Sequence, residues 1–206
     1  MDIISDFHKL YYEMGDQTWK KTIWLGIKAE KCPFDLWVYQ EIIFEVRPDV
    51  IIETGTYRGG ATIFLASICD FINHGRIITI DVEDGMEPRH KRVTQILGSS
   101  ISPEVITRVN EMINDEEKVM VILDSLHSKD HVSEELDIYS KFVSKGSYLI
   151  VEDTNINGNP VEPNFGPSSM EAVIEFLDRN KNFKSDRSRE KFLVTFNPKG
   201  YLIRER

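Results

Sequence analysis

The stretch Val50-Ile51-Ile52-Glu53-Thr54-Gly55-Thr56-Tyr57-Arg58-Gly59-Gly60 constrains this chain more than any other. An apolar β-branched run ends in a carboxylate, a glycine follows, and a glycine pair opens an amphipathic segment. This order predicts a buried parallel strand, a tight turn and a helix start, the arrangement by which an α/β sheet opens a pocket at its carboxyl edge. Gly55 permits a sharp turn and close approach of a ligand, and Glu53 offers acceptor oxygens to a ribose or an ammonium.

What the stretch lacks narrows the ligand. No Lys-Ser/Thr follows the glycines, which argues against a Walker-type phosphate cradle. An acidic strand end also repels a pyrophosphate. A cationic ligand that carries a nucleoside fits better, and S-adenosylmethionine is the commonest of these. Gly-x-x-x-Gly-Gly also departs from the dinucleotide fingerprint, which disfavours a nicotinamide oxidoreductase.

Strands and helices alternate after residue 33. Expected strands are Val50–Glu53, Arg76–Asp81, Val93–Leu97, Lys118–Asp124 and Gly146–Glu152. Expected helices run from about Leu36 to Val46 with Asp35 as cap, from Gly60 to Ile72 with Gly75 beyond its end, from Ser102-Pro103 onward, from Lys129 to Val143, and from Ser168 to Arg179. The Asn-, Gly- and Pro-rich stretch 153–167 is an expected functional loop. Lys191–Phe196 and Tyr201–Arg204, joined by Asn197-Pro198-Lys199-Gly200, are expected to form a hairpin whose final strand is antiparallel. Residues 1–33, rich in aromatics, form an expected helical lead-in or lid to a single domain spanning 34–206.

With 206 residues, 41% hydrophobic and 29% charged, the chain suits one domain with a full core. A net charge of −9 argues against nucleic-acid binding. The isolated thiols Cys32 and Cys69 have no metal-ligand spacing and suit a reducing cytoplasm. The first residues lack a basic n-region and an apolar core, and no apolar run matches a membrane span, so a cytoplasmic protein is the expectation. The N-terminal aromatics offer an interface for a homo-oligomer.

Asp81 ends its strand about one βαβ unit after the glycine turn, placed to accept ribose hydroxyls. Gly98-Ser99-Ser100 ends the next strand, where Ser99 and Ser100 would border an adenine. With Glu53, Gly55, Tyr57, Gly59 and Gly60 these make the expected cofactor site. Asp124, Glu152 and Asp153 end neighbouring strands and should converge at one rim. Three acids there repel one another, and a hard divalent cation such as Mg²⁺ relieves that repulsion. His127, three residues after Asp124, is placed to take a proton from a substrate hydroxyl held there. His131, one turn later, reads as a solvent-facing or capping residue.

These motifs together resemble the family of cephalosporin hydroxylases and rhamnosyl O-methyltransferases, from about Trp24 to Arg204. The resemblance rests on Lys31-x-Pro33-x-Asp35-Leu36-Trp37-x-Tyr39-Gln40-Glu41, on Pro48-Asp49-x-Ile51-Ile52-Glu53-Thr54-Gly55-Thr56, on Leu123-Asp124-Ser125-x-His127-Ser128, and on Val151-Glu152-Asp153-Thr154 with Met170-Glu171-Ala172-Val173. It implies a doubly wound, Rossmann-like class I methyltransferase fold: α/β, with a seven-stranded, mostly parallel sheet and an antiparallel C-terminal strand. It implies S-adenosylmethionine near Glu53, Gly55 and Asp81, and Mg²⁺ at Asp124, Glu152 and Asp153. The motifs are also similar to catechol O-methyltransferase, with His127 where that enzyme has a lysine. Leu126 and Ala61 depart from the family pattern, and no two-histidine, one-carboxylate iron site supports the hydroxylase name. The implied activity is O-methylation of a small hydroxylated molecule, such as a sugar or natural-product intermediate; the alternative is a cofactor-binding partner protein that assists another enzyme without methyl transfer.

Overall fold

The computed structural model describes residues 2–86 and 89–206. The N-terminal segment folds as helix α1 (Ile3–Glu13), two short 3₁₀ turns, and a two-residue hairpin of β1 (Ile23–Trp24) and β2 (Ile27–Lys28). Then come α2 (Pro33–Val46), β3 (Val50–Thr54), α3 (Gly60–Phe71), β4 (Arg76–Asp81), β5 (Val93–Leu97), α4 (Pro103–Glu111), β6 (Val119–Leu123), α5 (Lys129–Tyr139), β7 (Tyr148–Val151), α6 (Ser169–Arg179), β8 (Phe183–Ser185) and β9 (Tyr201–Arg204). The main sheet has seven strands in the order β5-β4-β3-β6-β7-β9-β8. Its first five are parallel, and β9 runs antiparallel to both β7 and β8.

Apolar alternation divides the core. Val50, Ile52, Ile78, Val121 and Leu123 face one way, onto Val105 and Val109 of α4, Leu136 of α5 and Val173 and Phe176 of α6. Ile51, Ile77, Met120, Ile122 and Ile150 face the other way, onto Val38, Ile42 and Ile43 of α2 and Phe64 and Leu65 of α3. Helices on both faces explain why β3 and β6 read as unbroken apolar runs. Gly75 sits past α3 at φ +86°, and Ser168 with Glu171 forms a capping box at α6.

Two expectations are corrected. Lys191–Phe196 is not a strand; β9 pairs instead with β8. The 191–197 stretch has other partners: Thr195 Oγ1 and the Phe196 N–H donate to the Asp35 carboxylate, and the Asn155 N–H donates to the Phe196 carbonyl. Asp35 does not cap α2, which starts at Pro33 after Cys32. It lies 2% exposed inside the helix and also accepts from Tyr201 Oη at 2.8 Å. Burial raises its pKa to about 6, and Asp35 thereby ties α2 to the C-terminal segment.

Candidate active site

The parallel strands end along one edge, where two neighbouring features form. The first is a cavity of about 710 Å³, lined among others by Gly55, Tyr57, Asp81, Ser99, Ser100 and Asp124. Gly55 forms part of its wall. At φ +88°, a Cβ there would lie 2.0 Å from the Asp124 carbonyl oxygen, so only glycine lets β3 turn beside β6. Asp81 fixes the other side of that turn: one carboxylate oxygen accepts the Thr56 and Tyr57 N–H groups at 2.8 Å each, the other the Glu83 N–H at 3.0 Å.

Not every expected cofactor residue reaches the cavity. Glu53 is 2% exposed beneath the turn, where it accepts hydrogen bonds from Thr62 Oγ1 and, at 2.7 Å, from Thr79 Oγ1. Burial, partly offset by those two hydroxyls, raises its pKa to about 7. Both hydroxyls bond the same oxygen, Oε2, and so brace β3 against β4 and α3. Gly59 and Gly60 also stand outside the cavity lining. Gly59 supplies the left-handed cap of α3, and a Cβ on Gly60 would lie 2.3 Å from the Lys28 carbonyl oxygen. That close approach seats the N-terminal hairpin on the helix start.

The second feature is the acidic rim at the ends of β6 and β7. Ligand atoms of Asp124, His127 and Asp153 lie within 4.8 Å of one another, the geometry of a candidate metal centre. His127 Nε2 is 3.1 Å from Asp153 Oδ2. Glu152 stands at the same rim, 4% exposed, but its oxygen is engaged by Lys31 Nζ at 2.6 Å, and the same ammonium contacts Asp124. Burial alone would lower the Lys31 pKa; the Asp124, Glu152 and Asp153 carboxylates outweigh it and hold the pKa above its usual value. Burial raises Asp124 and Glu152, against the pull of that ammonium.

Sequence reasoning missed two of these residues. Lys31 was part of a motif but had no role, and only the fold brings it to acids 93 and 121 positions away. His131 is neither solvent-facing nor a cap: its side chain is 15% exposed and lines the cavity. The i,i+4 spacing of His131 and Glu135 on a helix was the available signal.

Fold and site together define a class I methyltransferase architecture. Residues 16–205 match the Rhamnosyl O-methyltransferase/CmcI family. A rhamnosyl O-methyltransferase of Mycobacterium tuberculosis H37Rv is 39% identical over 98% of this chain and 85% of its own length. The Mycobacterium leprae protein of that name is 36% identical over 98% and 91%. Among solved structures, apo CmcI superposes with TM-score 0.69 at 20% identity, covering 91% of this chain and 77% of CmcI. MycE in complex with Mg, S-adenosylhomocysteine and mycinamycin VI gives TM-score 0.53 at 20% identity, covering 68% and 41%. The chain belongs to the Rhamnosyl O-methyltransferase/CmcI family, and it is an S-adenosylmethionine-dependent O-methyltransferase.

Proposed function

We propose that this enzyme methylates a hydroxyl of a sugar or similar small hydroxylated molecule, with a divalent cation, Mg²⁺, at the acidic rim. The observation that carries this reading is the convergence of Asp124, His127 and Asp153 beside the cavity that Gly55 and Asp81 shape. Relatives named rhamnosyl O-methyltransferase support a sugar acceptor, and solved relatives that hold Mg support the cation.

The donor set fits that ion. Asp124 and Asp153 would hold it, with Glu152 at the same rim neutralised in part by Lys31. Mg²⁺ takes oxygen ligands, which leaves the His127 imidazole free for proton transfer. When bound, the cation supplies positive charge that lowers the pKa of an adjacent hydroxyl. The chain does the rest. Asp81 accepts the ribose hydroxyls, and Ser99 and Ser100 border the base. His127 takes the acceptor proton, and the Asp153 carboxylate, 3.1 Å from Nε2, steadies the resulting imidazolium. As the acceptor oxygen forms its bond to the methyl carbon, the carbon–sulfur bond breaks and S-adenosylhomocysteine remains. Alignment of the two reactants accounts for most of the remaining acceleration.

Mass spectrometry on a panel of rhamnosides and other glycosides tests this reading. A gain of one methyl group, abolished by chelator and restored by Mg²⁺, is the expected result. Full transfer in excess chelator would remove the metal from the mechanism, and no transfer to any sugar would remove the acceptor class.

A further inference from the structure

His131 has no part in the mechanism above, yet it faces the cavity. It stands in the first turn of α5, with Nε2 3.0 Å from Ser125 Oγ, 3.3 Å from Ser100 Oγ and 3.5 Å from Glu135 Oε1. Ser125 donates its single hydroxyl proton to Glu135 Oε1 at 2.8 Å, and so turns a lone pair towards the ring. Glu135 is fully buried, and its carboxylate only accepts. An unprotonated Nε2 would confront both of these acceptors, so Nε2 carries the proton. In the neutral ring Nδ1 is then an acceptor. No described residue donates to it, and it is not among the atoms sealed from solvent. That edge of the ring is left for a donor supplied by a ligand.

The neighbouring walls say what kind of ligand. Val82 and Leu126 are 72% and 58% exposed, yet both line the cavity. Large apolar side chains left bare beside a polar cluster suit a flat, partly apolar group with hydrogen-bonding edges, as a purine is. We infer that His131 is a specificity residue that reads the nucleobase of the cofactor: its Nδ1 accepts a hydrogen bond from an exocyclic amine, so the site selects a 6-aminopurine over a 6-oxopurine. Ser125 and Glu135 are positioning residues that fix the ring's tautomer. This assignment rests on the reading that the cavity takes S-adenosylmethionine.

Calorimetry on the full chain tests it, at alkaline pH because the bond to Glu135 raises the His131 pKa and the neutral ring is the one that reads the base, with S-adenosylhomocysteine and S-inosylhomocysteine as probes. The wild type should prefer the adenosyl compound by roughly 10-fold or more, since a carbonyl facing Nδ1 sets acceptor against acceptor. His131→Phe should bring that ratio close to one, while His131→Gln, which keeps a carbonyl acceptor, should restore part of it. If His131→Phe does not fold, His131→Leu gives the same test, because it too removes the Nδ1 acceptor. A wild-type ratio in His131→Phe, or in His131→Leu where that stands in, would overturn the assignment. A wild type that binds neither probe would overturn the cofactor reading as well, whereas one that binds both equally overturns only the role of His131.

Discussion

The two halves of the site are built by different means. The cofactor half is a backbone construction: Gly55 turns where no side chain fits, and Asp81 anchors that turn through the Thr56 and Tyr57 N–H groups. The acidic half is a side-chain construction. Its carboxylates come from β6 and β7, and the counter-charge within reach is Lys31, delivered by the N-terminal segment. A backbone turn is rigid with or without its ligand, whereas a charge cluster depends on whichever cation neutralises it. The first half should therefore fail by steric clash, and the second by loss of charge balance.

The sharpest way to break this contrast is Gly55→Ala. The added Cβ would meet the Asp124 carbonyl at 2.0 Å in a left-handed backbone, so a loss of stability of ~3 kcal/mol or more is expected, together with loss of cofactor binding. An alanine variant that binds S-adenosylhomocysteine like the wild type would show that the turn is not backbone-limited.

Lys31→Met probes the other half. Removal of the buried ammonium leaves Asp124 and Glu152 unpaired, and the metal-free protein should lose ~3–5 kcal/mol. Mg²⁺ should restore much of it, so the Tm of the variant should rise with the metal far more than that of the wild type. Equal metal responses in thermal melts would mean that Lys31 and the cation do not share a charge balance.

A smaller effect separates ligand from scaffold. Asp81→Asn keeps an acceptor for the turn but removes the charge offered to the ribose, which should weaken S-adenosylhomocysteine binding by ~1.5–3 kcal/mol in calorimetry. Metal binding should not change, and a parallel loss of both would join the two halves into one unit.

The least effect concerns how the N-terminal segment holds the acidic rim. His8 of α1 is 5% exposed, stacks on Phe196 and bonds Asn155 of the loop after β7. Burial lowers its pKa from 6.5 to about 4. Between those values the unfolded chain binds the extra proton, so stability is full above pH 6.5 and declines as the pH falls towards 4, by roughly 1–3 kcal/mol. His8→Gln should flatten that part of the pH–stability curve, measured by urea unfolding.

The same contrast explains what the sequence revealed. The strands are local apolar runs covered on both faces, and the Gly55 turn and Asp81 sit at fixed offsets from them, so both could be read residue by residue. Asp124, Glu152 and Asp153 were legible as strand ends. The pairing of Asp124 and Glu152 with Lys31 was not, because no local pattern links a residue before α2 to β6 and β7. Glu53 read as a ligand residue from its position, while the hold of Thr62 and Thr79 on one of its oxygens comes from elements the sequence does not link to it. The final hairpin failed for a related reason: Thr195 and Phe196 answer to Asp35, some 160 residues away, while the β9 partner Phe183–Ser185 is too short and too polar to signal a strand.

The central claim is that a base beside a cation-binding rim deprotonates the acceptor, and the kcat of His127→Ala on two acceptors of different acidity tests it most directly. With saturating cofactor and Mg²⁺, an alcohol such as a rhamnoside should lose about 10²–10⁴-fold, while a catechol, already easier to ionise, should lose much less. Near-normal kcat on the alcohol at neutral pH, or an equal loss on both acceptors, would contradict the account.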